Sequence, residues 1–315
     1  MPSTVVPVRR GRPVAAADRR LQNPAFLRGS AIAAIIANAG IVVTGGAVRL
    51  SNSGLGCPTW PDCTDGRLLP GGANSDGAGH QAIEFGNRLL GFLVFATALA
   101  CLIAAWRSSR RRELLRIAAL LPVGIVVQAV LGGITVRDKL NPLVVAPHFL
   151  LSMVLVYAAV WLHQRSVEGD EPVRPVVRPE LRIGIRLLVV VVAAVELVGT
   201  LVTATGPHAG DPGTRRLSWD PAVVTQFHAD LVFLYSGLVV ALILGLRATG
   251  APRQTQRRGW VLGAVIVLQA TVGYVQYFTQ VPAVLVGVHM LGATLATVAT
   301  ARLYFATRER TSPAG

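Results

Sequence analysis

Eight separate apolar runs, each long enough to cross a lipid bilayer, constrain this 315-residue chain more than any other feature. A bilayer core of about 30 Å takes roughly 20 helical residues at about 1.5 Å of rise per residue. Because backbone polar groups in lipid must be hydrogen-bonded within the segment, each run is predicted to be a helix. We therefore predict an all-α membrane protein with eight transmembrane helices. The runs are 26–46, 84–106, 114–136, 143–163, 182–204, 222–246, 259–278 and 281–305.

The distribution of arginine predicts how the chain is oriented. Basic clusters at 9–20, 107–112 and 253–258 lie at alternate ends of the apolar runs, and such clusters face the cytoplasm. Both termini are therefore predicted to be cytoplasmic. The net charge of +14 does not indicate nucleic acid as a partner, since no basic stripe is interleaved with aromatic residues. No signal peptide is expected, because no apolar segment with a small-residue cleavage site precedes the first run.

An internal repeat divides the chain into two halves. The segment 164–181, which is rich in proline and acidic residues, is predicted to be a cytoplasmic linker between them. We predict two pseudo-symmetric four-helix bundles, 26–163 and 182–305, with cytoplasmic tails at 1–25 and 306–315. Three residue types recur at a spacing of 141 residues: Gln128, Gly132 and His148 recur as Gln269, Gly273 and His289.

Three histidines are predicted to lie at similar depth inside helices. They are His148, His228 and His289, and the repeat mate of His228 is Asn87. Each could be hydrogen-bonded to a neighbouring helix, or take part in a proton relay. Zinc would need three or four ligands at one point, whereas two imidazoles from opposed helices suit a heme iron. We therefore predict that His228 and His289 hold one heme, and that His148 faces Asn87.

Glu84, Asn87 and Arg88 share one face of the second helix, directed at the N-terminal site. Glu84 has two interpretations, which stay open at this point. It could form a salt bridge with Arg88 at the helix start, or it could accept and donate protons beside a substrate.

Other polar residues on the outer side are weaker candidates. His80, predicted to lie in the outer loop seven residues before Asn87, could supply a missing ligand only if that loop folds inward. Four arginines at the outer helix ends either pair with heme propionates or remain solvated at the interface: Arg49, Arg88, Arg215 and Arg216.

Two of the three cysteines, Cys57 and Cys63, lie in the first outer loop, on the side where oxidation is expected. A disulfide across this short loop is predicted. It is either a loop staple or a redox-active pair.

At these residues the sequence resembles the heme A synthase family over nearly its whole length. The resemblance implies an eight-helix fold of two four-helix bundles in a bacterial cell membrane. It also implies heme b ligated by His228 and His289, a substrate heme ligated by His148, and Glu84 as the acid in catalysis. The segments that carry it are GGAVRLSNSGLGCPTWPDC (45–63), IEFGNRLLG (83–91), QAVLGGITVRDKLNPLVVAPH (128–148), GTLVTATGPHAGD (199–211), QFHADL (226–231) and 269–289.

One position departs from the family pattern, which usually reads Glu-x-x-His-Arg in the second helix. Here the histidine is replaced by Asn87, so the second ligand of the substrate heme is missing. The resemblance implies oxidation of the C8 methyl group of heme O to a formyl group by successive hydroxylations, with oxygen from water.

Two other classes of function remain open. One is a diheme electron-transfer protein resembling cytochrome b, and the other is a transporter built from parallel repeats. The expected partners are the lipid bilayer and heme O. Heme O synthase, the cytochrome oxidase assembly machinery and a second copy of the chain are partners that the sequence leaves open.

Overall fold

The computed structural model describes residues 24–64, 66–71, 75–108 and 112–310, and within them eight long helices dominate. All eight are long and apolar enough to span a membrane, which confirms the predicted transmembrane fold. Two short strands, β1 (Arg174–Pro175) and β2 (Arg308–Glu309), pair antiparallel. The helices are α1 (Pro24–Leu50), α2 (Ser75–Ser108), α3 (Arg112–Arg137), α4 (Pro142–Val167), α5 (Pro179–Thr205), α6 (Pro221–Ala248), α7 (Arg253–Phe278) and α8 (Ala283–Phe305).

The helices extend beyond the apolar runs that predicted them. The largest difference is α2, which begins at Ser75 rather than at residue 84 and so takes His80 out of the loop and into the helix. An apolar run marks only the part that crosses lipid, whereas the backbone hydrogen bonds continue into polar residues. At the starts of α4 and α6 the side chains of Asn141 and Asp220 cap the helix, accepting backbone N–H groups at 3.0 and 2.8 Å.

The helices pack in two sets of four, and the same pattern of neighbours occurs in each set. In the first set α1 packs against α2 and α4, and α3 packs against α2 and α4; in the second set α5 to α8 repeat these pairings. The sets meet through α1–α8, α4–α5 and α4–α8 contacts. This arrangement is unchanged when the two sets are exchanged, as expected of a duplicated bundle.

Each set has its own hydrophobic core. Leu114, Leu121 and Leu162 are fully buried in the first, and Leu188 and Leu246 in the second. Many large apolar side chains point outward instead: Phe92, Phe278 and Val284 are 72%, 74% and 77% exposed. Such an apolar outer surface fits contact with lipid.

The two turns that join α3 to α4 and α7 to α8 have the same backbone. Lys139 and Leu140 have positive φ angles of 53° and 60°, and Gln280 and Val281 have 64° and 58°. The N–H groups of Leu140 and Val281 bond to carbonyls five residues earlier, at 2.9 and 2.8 Å. The 141-residue spacing found in the sequence thus recurs in local geometry that non-glycine residues rarely adopt.

The predicted linker at 164–181 is partly structured. Helix α4 continues to Val167, α5 begins at Pro179, and β1 between them pairs with β2 near the end of the described chain. Residues 1–23 of the predicted N-terminal tail, residues 109–111 of the second basic cluster and residues 311–315 lie outside the described residues.

Candidate functional site

His228 on α6 and His289 on α8 face each other in the C-terminal half. Their ring centroids are 6.5 Å apart and the ring planes are inclined by 61°. An iron ligated from both sides at roughly 2 Å, the usual length of a metal–imidazole bond in proteins, separates two ring centroids by roughly 6 Å. The two histidines therefore fit the axial ligation of one heme iron.

A glycine on a neighbouring helix lies directly against each of these rings. A Cβ atom at Gly199 would be 3.2 Å from His228 Cε1, and one at Gly273 would be 3.3 Å from His289 Cε1. Both distances are tighter than ordinary carbon–carbon contacts of about 3.5–4.0 Å. The absence of a side chain at Gly199 and Gly273 is what lets each imidazole lie close to the adjacent backbone.

His148 in the N-terminal half has the same surroundings as His289. A Cβ atom at Gly132 would be 3.3 Å from His148 Cε1, which matches the contact at the other histidine. Gln128 Nε2 donates to the carbonyl of His148 at 2.9 Å, and Gln269 Nε2 donates to that of His289 at 2.9 Å. The three residue types that recur in the sequence therefore form one recurring structure.

His148 and His289 are not held through Nδ1 by a hydrogen bond to a neighbouring helix. This atom is buried in both residues and makes no hydrogen bond within the described part of the chain. A buried ring nitrogen without a partner is costly unless the site serves another purpose. Among the described residues no group of three histidine, cysteine or acidic side chains gathers as a metal site of the zinc type.

Asn87 on α2 occupies the place in the N-terminal half that His228 occupies in the C-terminal half. A Cβ atom at Gly45 of α1 would be 3.8 Å from Asn87 Nδ2, just as Gly199 of α5 lies against His228. Thr44 Oγ1 donates to Asn87 Oδ1 at 2.8 Å, which fixes the orientation of the amide. The N-terminal half therefore offers one imidazole and one amide where the other half offers two imidazoles.

The Glu84 carboxylate is buried and both of its oxygens are bonded. Arg88 Nη2 donates to Oε1 at 2.6 Å, and the backbone N–H of Cys57 donates to Oε2 at 2.7 Å. The salt bridge with Arg88, one of the two interpretations from the sequence, is thus present. Glu84 also holds the start of the disulfide loop, a contact that the sequence did not indicate.

Arg88 is directed at the same loop. Besides Glu84, it donates to the backbone carbonyls of Cys57, Thr59 and Asp62 at 2.9, 3.0 and 3.1 Å. Arginine has five N–H donors in a rigid fork, which suits such a set of carbonyl acceptors. In this structure Arg88 fixes the loop to α2.

Cys57 and Cys63 form the predicted disulfide, and both residues are completely buried. Trp60, between the two cysteines in the loop, packs against α3. A Cβ atom at Gly133 of α3 would be only 2.5 Å from the Trp60 ring. Arg137 Nη2 donates to the Trp60 carbonyl at 2.9 Å. The loop therefore bridges α2 and α3, and its contact at Gly133 adjoins the glycine against His148.

The other polar residues near the loops bond to residues other than His148, His228 and His289. His80 Nδ1 is 2.8 Å from Ser53 Oγ, and His208 Nε2 is 2.9 Å from the carbonyl of Val281 in the α7–α8 turn. Arg49 Nη2 donates to the carbonyl of Thr203 at 2.9 Å, which joins α1 to α5.

A polar cluster inside the second set of helices was not singled out from the sequence. Glu196 accepts a hydrogen bond from Thr297, and Tyr235 and Thr300 are bonded to each other at 2.5 Å. Tyr235, Thr297 and Thr300 are buried. Glu196 is one of the few acidic residues inside an apolar run, and this is the sequence signal that points to the cluster.

Comparison with known proteins identifies the family. The profile of the family described as cytochrome oxidase assembly protein matches residues 29–301. The chain is 26% identical to the heme A synthase of Bacillus cereus (strain G9842) over 267 residues, or 80% of this chain and 84% of that protein. It is 26% identical to that of Bacillus pumilus (strain SAFR-032) over 259 residues, or 76% and 82% of the two chains.

A third similarity is more local. The chain is 29% identical to the heme A synthase of Lysinibacillus sphaericus (strain C3-41) over 152 residues, and this alignment spans about half of each protein, 48%. The family profile nevertheless covers most of the chain, and eight helices can span a membrane. The chain is thus a multi-pass bacterial membrane protein that belongs to the heme A synthase family.

Proposed function

We propose that this protein is a heme A synthase that oxidises the C8 methyl group of heme O to a formyl group, with heme b as a resident cofactor. The observation that carries the proposal is the difference between the halves: His228 and His289 face each other in one half, whereas in the other half the residue that corresponds to His228 is Asn87. A pair of imidazoles suits a heme that stays bound, whereas a single one suits a heme that must enter and leave. The activity named for the relatives supports the same proposal.

The proposed reaction balances as two hydroxylations by water. Each one adds the oxygen of a water to the methyl carbon and releases two protons and two electrons; the resulting diol then loses one water to leave the formyl group. Heme b held by His228 and His289 supplies one-electron transfer toward an external one-electron acceptor. The protons require a base close to the substrate.

Glu84 is the proposed base. It is a buried carboxylate three residues before Asn87 on one face of α2, and it is bonded to Arg88 and to the N–H of Cys57. Protonation of this carboxylate weakens its attraction to Arg88, which also holds the disulfide loop. Proton transfer and the position of the loop are therefore coupled in this proposal.

The partners follow from the reaction. Heme O is the substrate, a heme O synthase is the class of enzyme that supplies it, and the cytochrome oxidase assembly machinery receives the product. His148 is the proposed axial ligand of the substrate, and Arg88 and Asn87 line its site.

The experiment extracts hemes from protein purified out of cells that make heme O, and identifies them by chromatography and mass spectrometry. Wild type is compared with Glu84→Ala, His228→Ala and, as control, Glu180→Ala, which alters an exposed carboxylate at the start of α5. We expect heme A in wild type and control, and heme O or its hydroxylated intermediate in Glu84→Ala. Heme b alone in every sample would indicate the electron-transfer protein instead, and the absence of heme from all samples would contradict both functions.

A further inference from the structure

A cavity of about 100 Å³ lies where α5 begins and α8 ends, at the opposite end of α8 from His289. Its lining includes β1, the first two turns of α5 and the residues around β2. The volume is several times the roughly 10–15 Å³ that one water molecule requires by the same measure. The cavity is thus large enough for a small polyatomic group.

The cavity carries positive charge that the described residues do not neutralise. Arg182, Arg186 and Arg308 line it, and no acidic side chain is among the lining residues. Within the described ranges none of these three arginines forms an ion pair, and the Nε atoms of Arg182 and Arg308 are buried without a hydrogen-bond partner. Buried donors of this kind are costly unless an acceptor reaches them.

Arg165, on the same side of the molecule, shows how this chain pairs a buried arginine. Its Nε donates to a carboxylate oxygen of Glu113 at 2.9 Å. This guanidinium group is paired with an acidic side chain of the chain itself. The cavity arginines lack such partners in the described chain, which indicates that an anion from outside is their partner.

Arg308 is held in place before any ligand binds. The Arg308 guanidinium lies 5.6 Å from the Tyr304 ring centroid and 5.2 Å from that of Phe305. Backbone pairing of β1 with β2 fixes Arg308 near α5. A positioned guanidinium loses less freedom when it binds an oxyanion, and its planar fork matches phosphate oxygens.

The cavity adjoins a surface that faces lipid. Ile183, Leu187 and Val190, within the first four turns of α5, are 64%, 47% and 64% exposed. Arg182 and Arg186 are therefore close to the level where apolar helix gives way to polar ends, which is the level of lipid headgroups. The aromatic Tyr304 in the lining is also typical of this interface.

We propose that this cavity binds the phosphate group of an anionic phospholipid headgroup. The guanidinium groups of Arg182, Arg186 and Arg308 bind the phosphate oxygens, and the acyl chains lie along Ile183, Leu187 and Val190. A free phosphate ion has the same oxygens but gains nothing from this apolar surface, so the lipid is the stronger ligand.

The test is native mass spectrometry of the full-length protein in detergent, titrated with phosphatidylglycerol, phosphatidylcholine or inorganic phosphate. Arg182→Gln with Arg308→Gln is compared with Arg178→Gln, which alters an exposed arginine outside the cavity at the start of the same helix. We expect wild type and Arg178→Gln to bind phosphatidylglycerol more tightly than phosphatidylcholine. Affinity should fall roughly fivefold for one lost arginine and roughly thirtyfold for two.

A further variant keeps the test informative if the double variant does not fold. Arg186 is exposed, so Arg186→Gln removes a cavity charge without uncovering buried structure. Unchanged phosphatidylglycerol affinity in a folded cavity variant, or equal affinity for phosphatidylcholine, would overturn the proposal. Binding of inorganic phosphate as strong as that of the lipid would overturn the lipid as the source of the phosphate.

Discussion

The two halves of this protein have the same pattern of helix contacts and differ at one of the residues that correspond between them. His148 and His289 have the same glycine contact and the same glutamine hydrogen bond, at a spacing of 141 residues. Asn87 and His228, which also correspond at this spacing, each lie against a glycine of the preceding helix, yet only His228 carries an imidazole that can ligate iron. The comparison teaches that two sites can share their neighbouring glycines and glutamine bonds while one residue changes which ligands they offer.

The loops that follow α1 and α5 differ more than the helices do. In the N-terminal half the disulfide loop is bonded to Glu84 and Arg88 of α2 and packs Trp60 on α3. In the C-terminal half the loop after α5 contributes His208 to the α7–α8 turn. Carboxylate, arginine and aromatic side chains therefore meet in the half proposed to bind substrate.

The largest effect is expected when His228 of the C-terminal half is replaced by asparagine, the residue that the N-terminal half has at the corresponding position. His228→Asn removes one of two axial nitrogens, so bound heme b should fall by more than the roughly 10–100-fold that loss of a supporting contact costs. Heme content and the absorption spectrum of the purified protein measure this. His208→Asn, in the loop after α5, is the control and should retain heme b; full heme b in His228→Asn would refute the assignment.

Glu84→Gln removes proton transfer and keeps one of the two loop contacts. The amide oxygen can still accept from Cys57 N–H, but the side chain cannot take up a proton, so heme A formation should fall roughly 100-fold. Because the amide lacks the charge that attracts Arg88, resistance of the disulfide to added thiol should decrease in Glu84→Gln and decrease further in Glu84→Ala. Normal heme A formation by Glu84→Gln would mean that Glu84 serves only to fix the loop.

Replacing Gly132 or Gly273 by alanine should affect heme binding only in the half that contains the substitution. A Cβ atom at Gly273 or Gly132 would meet a histidine ring at 3.3 Å, and overpacking of this kind costs about 1–3 kcal/mol. Gly273→Ala should weaken heme b retention roughly tenfold, and Gly132→Ala should lower heme O conversion instead. Gly237→Ala, which meets nothing within 4 Å, is the control; identical effects of the first two variants would argue against separate sites.

Asn87→His should produce the smallest effect and make the halves more alike. A second imidazole opposite His148 should turn the spectrum of the bound substrate heme low-spin, with a several-fold change in turnover. Thr44→Val removes the hydroxyl that bonds to Asn87 at 2.8 Å and to the Ile41 carbonyl at 3.3 Å, adds no imidazole, and should leave the spin state unchanged. A high-spin substrate heme in Asn87→His would show that the position does not face the iron.

Part of the site could be predicted from sequence because the relevant signals are local or periodic. His148, His228 and His289 were found by their depth within apolar runs, and the disulfide by two cysteines in one outer loop. The predicted beginning of α2, at residue 84, was wrong, because hydropathy does not detect a polar extension of a helix. His80 consequently lies on a helix and bonds to Ser53.

Other contacts had no sequence signal. Nothing in the spacing of Gly133, Trp60 and Arg137 shows that they meet, since they come from different elements. The unpaired Nε atoms of Arg182 and Arg308 likewise depend on strands from the linker and the chain end pairing.

The sequence by itself determined the eight membrane spans, the internal repeat and the residue types able to bind heme. Length, hydropathy and backbone hydrogen bonding within a segment decide whether that segment crosses lipid, and all three are properties of neighbouring residues. Only the tertiary structure decided that His228 and His289 lie 6.5 Å apart, that Glu84 binds the disulfide loop and that three arginines share a cavity. These distances depend on how closely helices approach and how they are rotated, which packing against other helices sets.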